Sequence, residues 1–493
     1  MQKQKLVPPY FLLPLRFMRF PDRNILLVNE AGEFLFLETD DFDKLLAYSL
    51  EPENNVYLDL KAKHFLADSD LSIISQIDFL ATKYRTKKSY LKDFTSLHMI
   101  VVTLRCNHRC NYCHASSKDA ESFQWDMSIE TSNKVVEMIF QSPSPFIKIE
   151  FQGGEPLLNF NVIYEIIKYA EKINKRFQKQ LTFVLCTNLT LITQDILDIL
   201  KKHNVVVSTS LDGPKDIHDT NRILINGKSS YDNFIEKLEW TRSVLGKNKV
   251  SALMTITNDN ILHLKSVIDE YVKLGFHGIF LRSLNPYGYA HKGSGEKLQY
   301  KIEDFVNAYL DAVNYIIQLN LKGINFVEYF AIILLTRILT PFATGFMDLQ
   351  SPAGAGILGV IYNYNGDVYP TDESRMLAAM GDRHFCLGNV KNNTHSEIFA
   401  NKLIKKIIRN SCVEIIPGCH SCAYQQFCGA DPIRAYSQQN DKTYIGNIIT
   451  SDFCKKHKKL ISYFMNLIKQ DNKDIMDVFW AWITNRRIED IRL

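Results

Sequence analysis

Apolar segments of similar length alternate with segments of helical periodicity from residue 97 to about residue 285. The apolar segments predict six strands, at 98–104, 147–152, 181–186, 205–211, 249–256 and 278–283. Between them, apolar residues recur at three- and four-residue spacing, with Ser128 and Thr193 placed to cap two of the helices. Strands that are almost continuously apolar, alternating with helices, indicate an α/β fold with a parallel sheet. Six such units predict a partial (β/α)6 barrel of the TIM type.

The segments on either side have different patterns. Before the barrel, the apolar runs 23–29 and 33–37 enclose a turn and predict a hairpin, and two helical patterns follow it. Asp40 or Asp41 is placed to cap the first helix, and a helix at about 70–84 completes a small winged α+β module. After the barrel, residues 300–345 are helical in pattern.

The region beyond residue 345 is predicted to contain a short hairpin and then a cysteine-rich segment. Asn365-Gly366 is a typical hairpin turn within 351–370, and residues 386–454 are loop-like. The predicted organisation is therefore a module at 1–90, the barrel at 91–300, a helical bridge with a cysteine-rich domain at 301–460, and a helical tail at 461–493.

Charge and hydropathy exclude several classes of protein. The 58 basic and 54 acidic residues of the 493 leave a net charge of +4, too small to indicate nucleic acid as a partner. The longest apolar stretch, 326–339, contains Glu328 and Arg337 and predicts a buried helix rather than a membrane span. Three prolines interrupt the apolar patch of residues 1–17, so we expect no signal peptide. The clustered cysteines favour metal ligation in a reducing compartment, which predicts a cytoplasmic protein.

Cys106, Cys110 and Cys113 lie in the segment CNHRCNYCHAS, directly after the first predicted barrel strand. In parallel α/β folds the carboxyl ends of the strands carry the chemistry, so this loop is a candidate cofactor site. A structural zinc ion takes four protein ligands, and His108 or His114 would have to supply the fourth. A [4Fe–4S] cluster held by three thiolates leaves one iron open to another ligand. The spacing alone is compatible with both metals.

The same segment resembles the CxxxCxΦC loop of radical S-adenosylmethionine (SAM) enzymes, with Tyr112 as the aromatic residue before the third cysteine. The resemblance implies a [4Fe–4S] cluster whose open iron is chelated by SAM. It also implies cleavage of SAM to methionine and a 5′-deoxyadenosyl radical, which abstracts a hydrogen atom from the substrate. Tyr112 then becomes a candidate cofactor-binding residue, and the two histidines become loop residues.

Two motifs at the next strand ends strengthen this resemblance. The segment EFQGGEPLL resembles the GGEP motif, which implies that Gly153, Gly154 and Glu155 bind the amino group of SAM. The segment CTNLT resembles the TNG motif, which implies that Asn188 lies near SAM, although Leu189 replaces the usual glycine.

A further motif follows the fourth strand. The segment STSLDGPKDIHDTNR resembles an SxDGxxxxHDxxR pattern, which implies that Ser210 and Arg222 contact the ribose or carboxylate of SAM. The alternative is that Ser210 only lines the barrel and that Arg222 only pairs with Asp219. Cys186, in an apolar strand, is predicted to be a buried small side chain.

Four more cysteines form a second group, in which Cys419, Cys422 and Cys428 lie close together and Cys454 follows 26 residues later. Four thiolates can close a metal shell. A zinc ribbon is the general alternative, but its usual form has two CxxC knuckles.

This spacing resembles the SPASM extension of peptide-modifying radical SAM enzymes, which implies that the four thiolates hold an auxiliary [4Fe–4S] cluster. The full extension holds two such clusters, but Ala353, Thr371 and Pro432 stand where further cysteines are usual. We therefore expect one auxiliary cluster. Cys412 is an alternative ligand, and Cys386 is expected to be buried.

Asp372 follows Thr371 in the segment YPTDE. In sulfatase-maturing relatives an acid at this place acts as a base on the substrate radical, so the resemblance makes Asp372 a catalytic candidate. The alternative is a solvated carboxylate in a turn.

The flanking segments PLRFMRFPDRNILLVNEAGEFLFL, LRSLNPYG and YNYNGDVYPTDESRM resemble those of the radical SAM maturase of the His-Xaa-Ser system, its B component. This implies a ribosomally made precursor peptide as substrate, a second radical SAM protein of the same system, and an electron donor such as flavodoxin or ferredoxin. It also implies that the N-terminal module recognises the leader of the peptide through an added strand.

Two other functions stay open from the sequence. One is a different radical SAM oxidase that acts on a folded protein, as sulfatase maturases do. The other is a peptide-binding scaffold that zinc stabilises and that carries no redox chemistry.

Overall fold

The structure, a computed structural model, describes residues 8–291, 293–438 and 448–492. We expect no signal peptide in residues 1–17, and the first seven of these residues lie outside the described residues. The strands are β1 (Phe11–Leu12), β2 (Leu15–Arg19), β3 (Ile25–Asn29), β4 (Phe34–Leu37), β5 (Leu66–Ala67), β6 (Leu97–Thr103), β7 (His108–Cys110), β8 (Phe146–Gly153), β9 (Gln180–Cys186), β10 (Val206–Ser210), β11 (Arg222–Leu224), β12 (Val250–Ile256), β13 (Gly278–Ile279), β14 (Leu281–Ser283), β15 (Val327–Glu328), β16 (Gly359–Tyr362), β17 (Asp367–Tyr369) and β18 (Gly388–Asn389).

The α-helices follow the predicted alternation through the middle of the chain. They are α1 (Thr39–Leu46), α2 (Asn55–Ala62), α3 (Asp70–Lys87), α4 (Ile129–Ile139), α5 (Phe160–Phe177), α6 (Gln194–Lys202), α7 (Lys215–Asn221), α8 (Ser230–Leu245), α9 (Leu264–Lys273), α10 (Ile302–Leu321), α11 (Tyr329–Leu339), α12 (Asp372–Ala379), α13 (His395–Phe399), α14 (Lys402–Arg409), α15 (Pro432–Ser437), α16 (Asp452–Lys469), α17 (Lys473–Thr484) and α18 (Ile488–Ile491).

A nine-stranded mixed sheet forms the centre, in the order β14-β12-β10-β9-β8-β6-β16-β17-β18. The strands from β14 to β16 run parallel, and β17 and β18 are antiparallel. The predicted α/β architecture is confirmed. The predicted hairpin at Asn365-Gly366 is also confirmed, with Gly366 at φ +91°. The structure adds that this hairpin extends the sheet beyond β6, the first barrel strand.

Helices α4 to α6 and α8 to α11 share one continuous apolar core with this sheet. Ser128 accepts a hydrogen bond from the amide of Thr131, and Thr193 accepts one from Ile196, so both predicted N-caps are confirmed. The predicted last barrel strand is split, because β13 pairs with β15 while β14 pairs with β12. The break places Phe280 between the two short strands.

The C-terminal helices join the same core. α16 and α17 pack on α10 and α11, and Trp482 is 1% exposed, with its indole N–H 3.4 Å from Asn320 Oδ1. α16 runs across residue 460, where the sequence predicted a boundary, and the division into domains stays a prediction. Among the described residues, no helix combines the length and the apolarity that a membrane crossing requires.

The N-terminal segment contains a three-stranded antiparallel sheet, β2-β3-β4, with a separate small core that includes Tyr10, Leu27 and Phe42. α1 begins at Thr39 behind Glu38, so the prediction that Asp40 or Asp41 caps it is wrong. Both carboxylates lie in the first turn, where the helix dipole favours negative charge.

Candidate active site

The base of the first cysteine loop is held by Arg105. Its guanidinium donates to both carboxylate oxygens of Asp126, at 2.8 and 2.7 Å, and to the carbonyls of Ala120 and Leu158, each at 2.7 Å. Paired hydrogen bonds between arginine and carboxylate restrict both position and orientation. The loop therefore leaves β6 in a defined direction.

The three thiols of the loop lie close enough to affect one another electrostatically. Cys106 is buried, and Cys110, at the end of β7, pairs with Arg222 across the antiparallel strands β7 and β11. The amide of Cys113 donates to the carbonyl of Cys110 at 3.1 Å. Burial raises the pKa of the Cys106 thiol well above its usual value, and the nearby Cys110 and Cys113 thiols raise it further. Burial raises the pKa of Cys110 to about 12, so metal binding here must release protons.

The donor set fits a cluster with three protein ligands. Within the described residues, no three His, Cys, Asp or Glu side chains converge on a position that would hold a single metal ion. A [4Fe–4S] cluster sets a different geometric condition, because its thiolates bind different irons around a shared volume. Burial lowers the pKa of His108 and of His114 to about 3, so both imidazoles are neutral.

The glycines of the GGEP motif lie against the backbone that leads into this loop. A Cβ at Gly153, where φ is +153°, would lie 2.0 Å from the carbonyl oxygen of Thr103, and one at Gly154 would lie 2.3 Å from that of Arg105. The amides of Gly154 and Glu155 donate to these carbonyls at 3.0 and 2.7 Å. Glycine is required here because the two backbones are in direct contact.

Glu155 connects the second strand end to the third. Its carboxylate is fully buried and accepts from the amide of Leu157 (3.0 Å), the hydroxyl of Thr187 (2.6 Å) and the amide of Asn188 (2.8 Å). Burial raises the pKa of Glu155 to about 7. Both of its oxygens are therefore engaged within the chain, so it orders the loops around the site.

Asn188, which was predicted to lie near SAM, contacts the first cysteine loop. Its Nδ2 donates to Asn107 Oδ1 at 2.8 Å, and its Oδ1 accepts from Thr190. Leu189 has φ +67°, a left-handed backbone conformation that glycine adopts more easily, and its side chain is fully buried in the main core. The structure thus explains both the glycine expected there and the leucine that packing requires.

The fourth strand end contains a buried charge network. Asp212, fully buried, accepts from the hydroxyl of Tyr112 at 2.6 Å, and its Oδ2 lies 3.2 Å from Arg222 Nε. The proposed pairing of Arg222 with Asp219 is wrong: Asp219 instead accepts from Ser229, Ser230 and Tyr231 at the start of α8. Ser210 ends β10 and is half-buried.

The four cysteines of the second group are brought together. Cys419, Cys422, Cys428 and Cys454 all line one cavity of about 30 Å³. Cys412 does not line it, and its electrostatic neighbours are Glu414 and Lys88. The four thiols could therefore form a closed thiolate shell around a cluster. Cys412 lies apart from them, near Glu414 and Lys88.

Arg337, which the sequence did not single out for this site, supports the cluster loop. Its guanidinium donates to the carbonyls of Gln426 (3.3 Å), Phe427 (3.0 Å) and Cys428 (3.1 Å). The N-terminal sheet reaches the same loop, because Arg16 donates to the carbonyl of His420. No periodicity or motif in the sequence indicates these long-range contacts.

The three positions that lack the usual cysteines have structural roles here. Thr371 caps α12 by accepting from the amide of Ser374, and Pro432 is the first residue of α15. Ala353 is buried, and its amide donates to the hydroxyl of Ser411 at 3.0 Å.

The other two cysteines are half-buried rather than buried. Cys186 has its Sγ 3.4 Å from a carboxylate oxygen of Glu150, and Cys386 lies near the carbonyl of Gly388. Neither lines the four-thiol cavity.

Asp372 lies at the start of α12 and is paired rather than freely solvated. Its Oδ1 is 3.1 Å from Arg375 Nε, and Arg375 also donates to the carbonyl of Ala115 at 3.3 Å. Asp372 lines a cavity that Gln152, next to Gly153, also lines. The carboxylate therefore lies between the first cysteine loop and the C-terminal region.

Residues 100–271 match the family model of the Radical SAM superfamily. Among curated proteins, an uncharacterised protein of Methanocaldococcus jannaschii is 32% identical over 38% of this chain, which spans 63% of that protein's length. The cysteine-type anaerobic sulfatase-maturating enzyme of Clostridium novyi is 25% identical over 68% of this chain and 87% of its own. The radical SAM cyclopropyl synthase TigE of Paramaledivibacter caminithermalis is 28% identical over 44% of this chain and 46% of its own length.

Solved structures share the fold. Native anSMEcpe with bound AdoMet superimposes with a TM-score of 0.62 at 21% identity, covering 76% of this chain and 99% of its own. SuiB of Streptococcus suis bound to the precursor peptide SuiA gives a TM-score of 0.52 at 13% identity, covering 89% and 99%.

Proposed function

We propose that this chain, whose residues 100–271 match the Radical SAM superfamily model, modifies a ribosomally made peptide after translation. One observation carries the proposal: the chain combines a loop of three thiols beside a GGEP turn with a separate cavity lined by four thiols. The first arrangement suits an open cluster that reacts with SAM, and the second suits a closed cluster that moves electrons.

We propose separate roles for the residues that bind the first cluster and those that bind SAM. Cys106, Cys110 and Cys113 would hold the cluster with the open iron, where reduction of SAM supplies a 5′-deoxyadenosyl radical for hydrogen abstraction. The SAM-binding residues we propose are those predicted from the motifs: Tyr112, Gly153, Gly154, Glu155, Asn188, Ser210 and Arg222. In this arrangement Glu155 and Asn188 act mainly by fixing the loops, since their polar atoms bind neighbouring residues.

The C-terminal part would complete the enzyme. A single auxiliary cluster would be held by Cys419, Cys422, Cys428 and Cys454. The absence of a second cluster is supported by Ala353, Thr371 and Pro432, which have structural roles at positions where further cysteines are usual. Asp372 would accept the proton that the substrate loses during oxidation. Its partner Arg375 keeps it oriented toward the cavity that it lines.

The substrate class rests on the relatives. The named relatives are a sulfatase maturase and a cyclopropyl synthase, and SuiB is bound to a precursor peptide. We propose a His-Xaa-Ser type precursor, a cross-link or an oxidised side chain as product, a flavodoxin or ferredoxin as electron donor, and a second radical SAM protein as partner. The N-terminal three-stranded sheet would recognise the leader of the peptide, and the protein would act in the cytoplasm.

Anaerobic purification and mass spectrometry test the proposal. We expect about eight irons per chain, from two [4Fe–4S] clusters, and release of 5′-deoxyadenosine when dithionite and SAM are added. Co-expression with a short precursor peptide of the His-Xaa-Ser type should remove two hydrogens from that peptide. A colourless protein that contains zinc and no iron would instead support the peptide-binding scaffold. Modification of a sulfatase rather than a short peptide would support the sulfatase-maturing alternative.

A further inference from the structure

Two adjacent cavities lie between the two groups of cysteines. The inner cavity, of about 330 Å³, extends from Gln152 at the end of β8 to Phe453, which also lines the four-thiol cavity. The outer cavity, of about 1030 Å³, is lined by the segments that follow β14 and by α15. Ser283, Tyr287 and Arg434 line both cavities, so they form the neck between them.

The inner cavity is lined by charged side chains of both signs. Three acidic side chains face it in addition to the paired Asp372, and three basic side chains face it as well: Asp348, Glu373 and Asp431, and Arg282, Arg434 and Lys456. Burial lowers the pKa of Lys456 to about 7. Burial raises the pKa of Asp348, and repulsion from Asp431 and Glu373 adds to the effect, so that the pKa is about 8. A site of this kind suits an occupant that offers both hydrogen-bond donors and acceptors, rather than an aliphatic side chain.

Arg434 is the residue of the neck whose hydrogen bonding is incomplete. It is 9% exposed, and its Nη1 donates to Asn285 Oδ1 at 3.3 Å. Within the part of the chain that the structure describes, its Nε has no hydrogen-bond partner. A buried donor without a partner is costly, so an acceptor oxygen supplied by a ligand would be bound favourably here.

The neighbouring carboxylates determine which kind of oxygen this is. Asn285 joins Arg434 to Glu373, with 3.5 Å between its Nδ2 and the carboxylate, and Asp431 lies on the same helix start as Arg434. Burial already raises the pKa of Glu373 and of Asp431, so the site disfavours negative charge, and a carboxylate from a ligand would be bound less favourably than a neutral group. A neutral carbonyl oxygen would not be repelled, and the N–H groups or basic side chains beside it would face the carboxylates.

We propose that the two cavities together hold a segment of the substrate peptide and that Arg434 binds a backbone carbonyl oxygen of it at the neck. The inference rests on the proposed function and deepens it, because it predicts selection against acidic residues in the bound segment. The outer cavity accommodates several residues, and the inner cavity admits the residue that reacts.

Steady-state kinetics with a synthetic precursor peptide of the His-Xaa-Ser type test this role. Arg434→Met should raise the KM for the peptide about ten- to hundredfold in peptide-dependent formation of 5′-deoxyadenosine. Arg434→Lys should lie between this variant and the wild type, because lysine keeps the charge but not the planar fork. Peptide-independent cleavage of SAM should stay within about twofold of the wild type. Arg409→Met, on the exposed face of α14, is the matched control and should change neither rate.

A KM unchanged in both Arg434 variants would overturn the inference, whatever happens to kcat. A peptide with aspartate beside the modified residue should bind more weakly than one with asparagine, and equal binding would also overturn it. If the variants fold poorly, hydrogen exchange on the wild type decides: peptide should protect 283–287 and 431–437, and unchanged exchange there contradicts the proposal. Failure of the proposed function would give a different result from failure of this inference, because the wild-type protein itself would then leave the mass of the peptide unchanged.

Discussion

Tyr112 Oη donates a hydrogen bond to Asp212 Oδ2, 2.6 Å away, and so joins the first cysteine loop to the loop after the fourth barrel strand. The same oxygen lies 3.2 Å from Arg222 Nε, and the guanidinium carbon is 5.5 Å from the centre of the Tyr112 ring. Tyr112 therefore holds the cysteine loop against two side chains that lie about 100 positions further along the chain. Asp212 is the charge on which this arrangement depends.

Replacement of Asp212 with asparagine should destabilise the protein. The amide keeps a hydrogen-bond acceptor for Tyr112 but leaves the Arg222 cation buried without a counterion, at a cost of about 3–5 kcal/mol in the free energy of unfolding. Anaerobic urea titration measures this cost. Asp232→Asn, which breaks the exposed pair with Lys215, should cost less than about 1 kcal/mol. Equal effects of the two substitutions would mean that the buried pair does not stabilise the fold.

Iron content should fall in steps when single cysteines are removed. Cys106→Ala should lose the first cluster and reduce iron from about eight to about four per chain, and it should abolish cleavage of SAM. Cys428→Ala should lose about four irons from the other site but keep cleavage of SAM without peptide. Cys412→Ala should keep the full iron content, and loss of iron in this variant would place Cys412 among the ligands. About twelve irons in the wild type would show a second auxiliary cluster.

Arg337 should be needed for the four-thiol site. Arg337→Gln removes the hydrogen bonds to the carbonyls of Gln426 and Phe427 and to that of Cys428 itself, so the loop loses its fixed conformation. We expect the variant to retain about four of about eight irons, with the electron paramagnetic resonance signal of the first cluster unchanged. Arg85→Gln, on the exposed face of α3, is the control. Full iron with wild-type spectra in Arg337→Gln would show that the thiolates hold the cluster without this support.

Glu328 should give the folded protein a measurable pH dependence. Its buried carboxylate accepts from Tyr309 and from the amides of Leu281 and Ala331, and burial raises its pKa from 4.5 to about 7. Between these values the folded state retains a proton that the unfolded state releases. This contribution to stability is therefore complete below pH 4.5 and is lost as the pH rises through about 7.

Glu328→Gln isolates that contribution, because glutamine is similar in shape and does not titrate. The free energy of unfolding of the variant minus that of the wild type should increase by about 3 kcal/mol from pH 4.5 to above pH 7. Glu236→Gln, at an exposed position on α8, should show no such trend. A constant difference between Glu328→Gln and the wild type would contradict the assignment.

Local patterns predicted most of the central α/β region but not all of its edges. The first five apolar runs, the caps at Ser128 and Thr193 and the hairpin at Asn365-Gly366 depend on residues near one another in sequence, and each is confirmed. The sixth run, 278–283, is split into β13 and β14, which have different partner strands. The prediction that Asp40 or Asp41 caps α1 was wrong because acidic residues suit both the cap and the first turn, and in the structure both lie in the first turn.

Some features of the candidate site could also be predicted from the sequence, and others could not. Cysteine spacing and the GGEP segment are readable from the sequence because neighbouring residues create them, and so is the glycine-like turn that Leu189 occupies. The partner of Arg222 was not readable, since Asp212 and Asp219 are both close in sequence and only burial selects Asp212.

The sequence by itself determined the order of strands and helices, the two groups of thiols and the likeness to radical SAM enzymes, because these depend on short-range spacing and side-chain chemistry. Only the tertiary structure decided that four cysteines up to 35 positions apart line one cavity, that Arg337 holds their loop, and that Arg434 stands at a neck between two cavities. Such contacts join residues from separate elements. They exist only after the elements pack and exclude water, so no local pattern in the chain encodes them visibly.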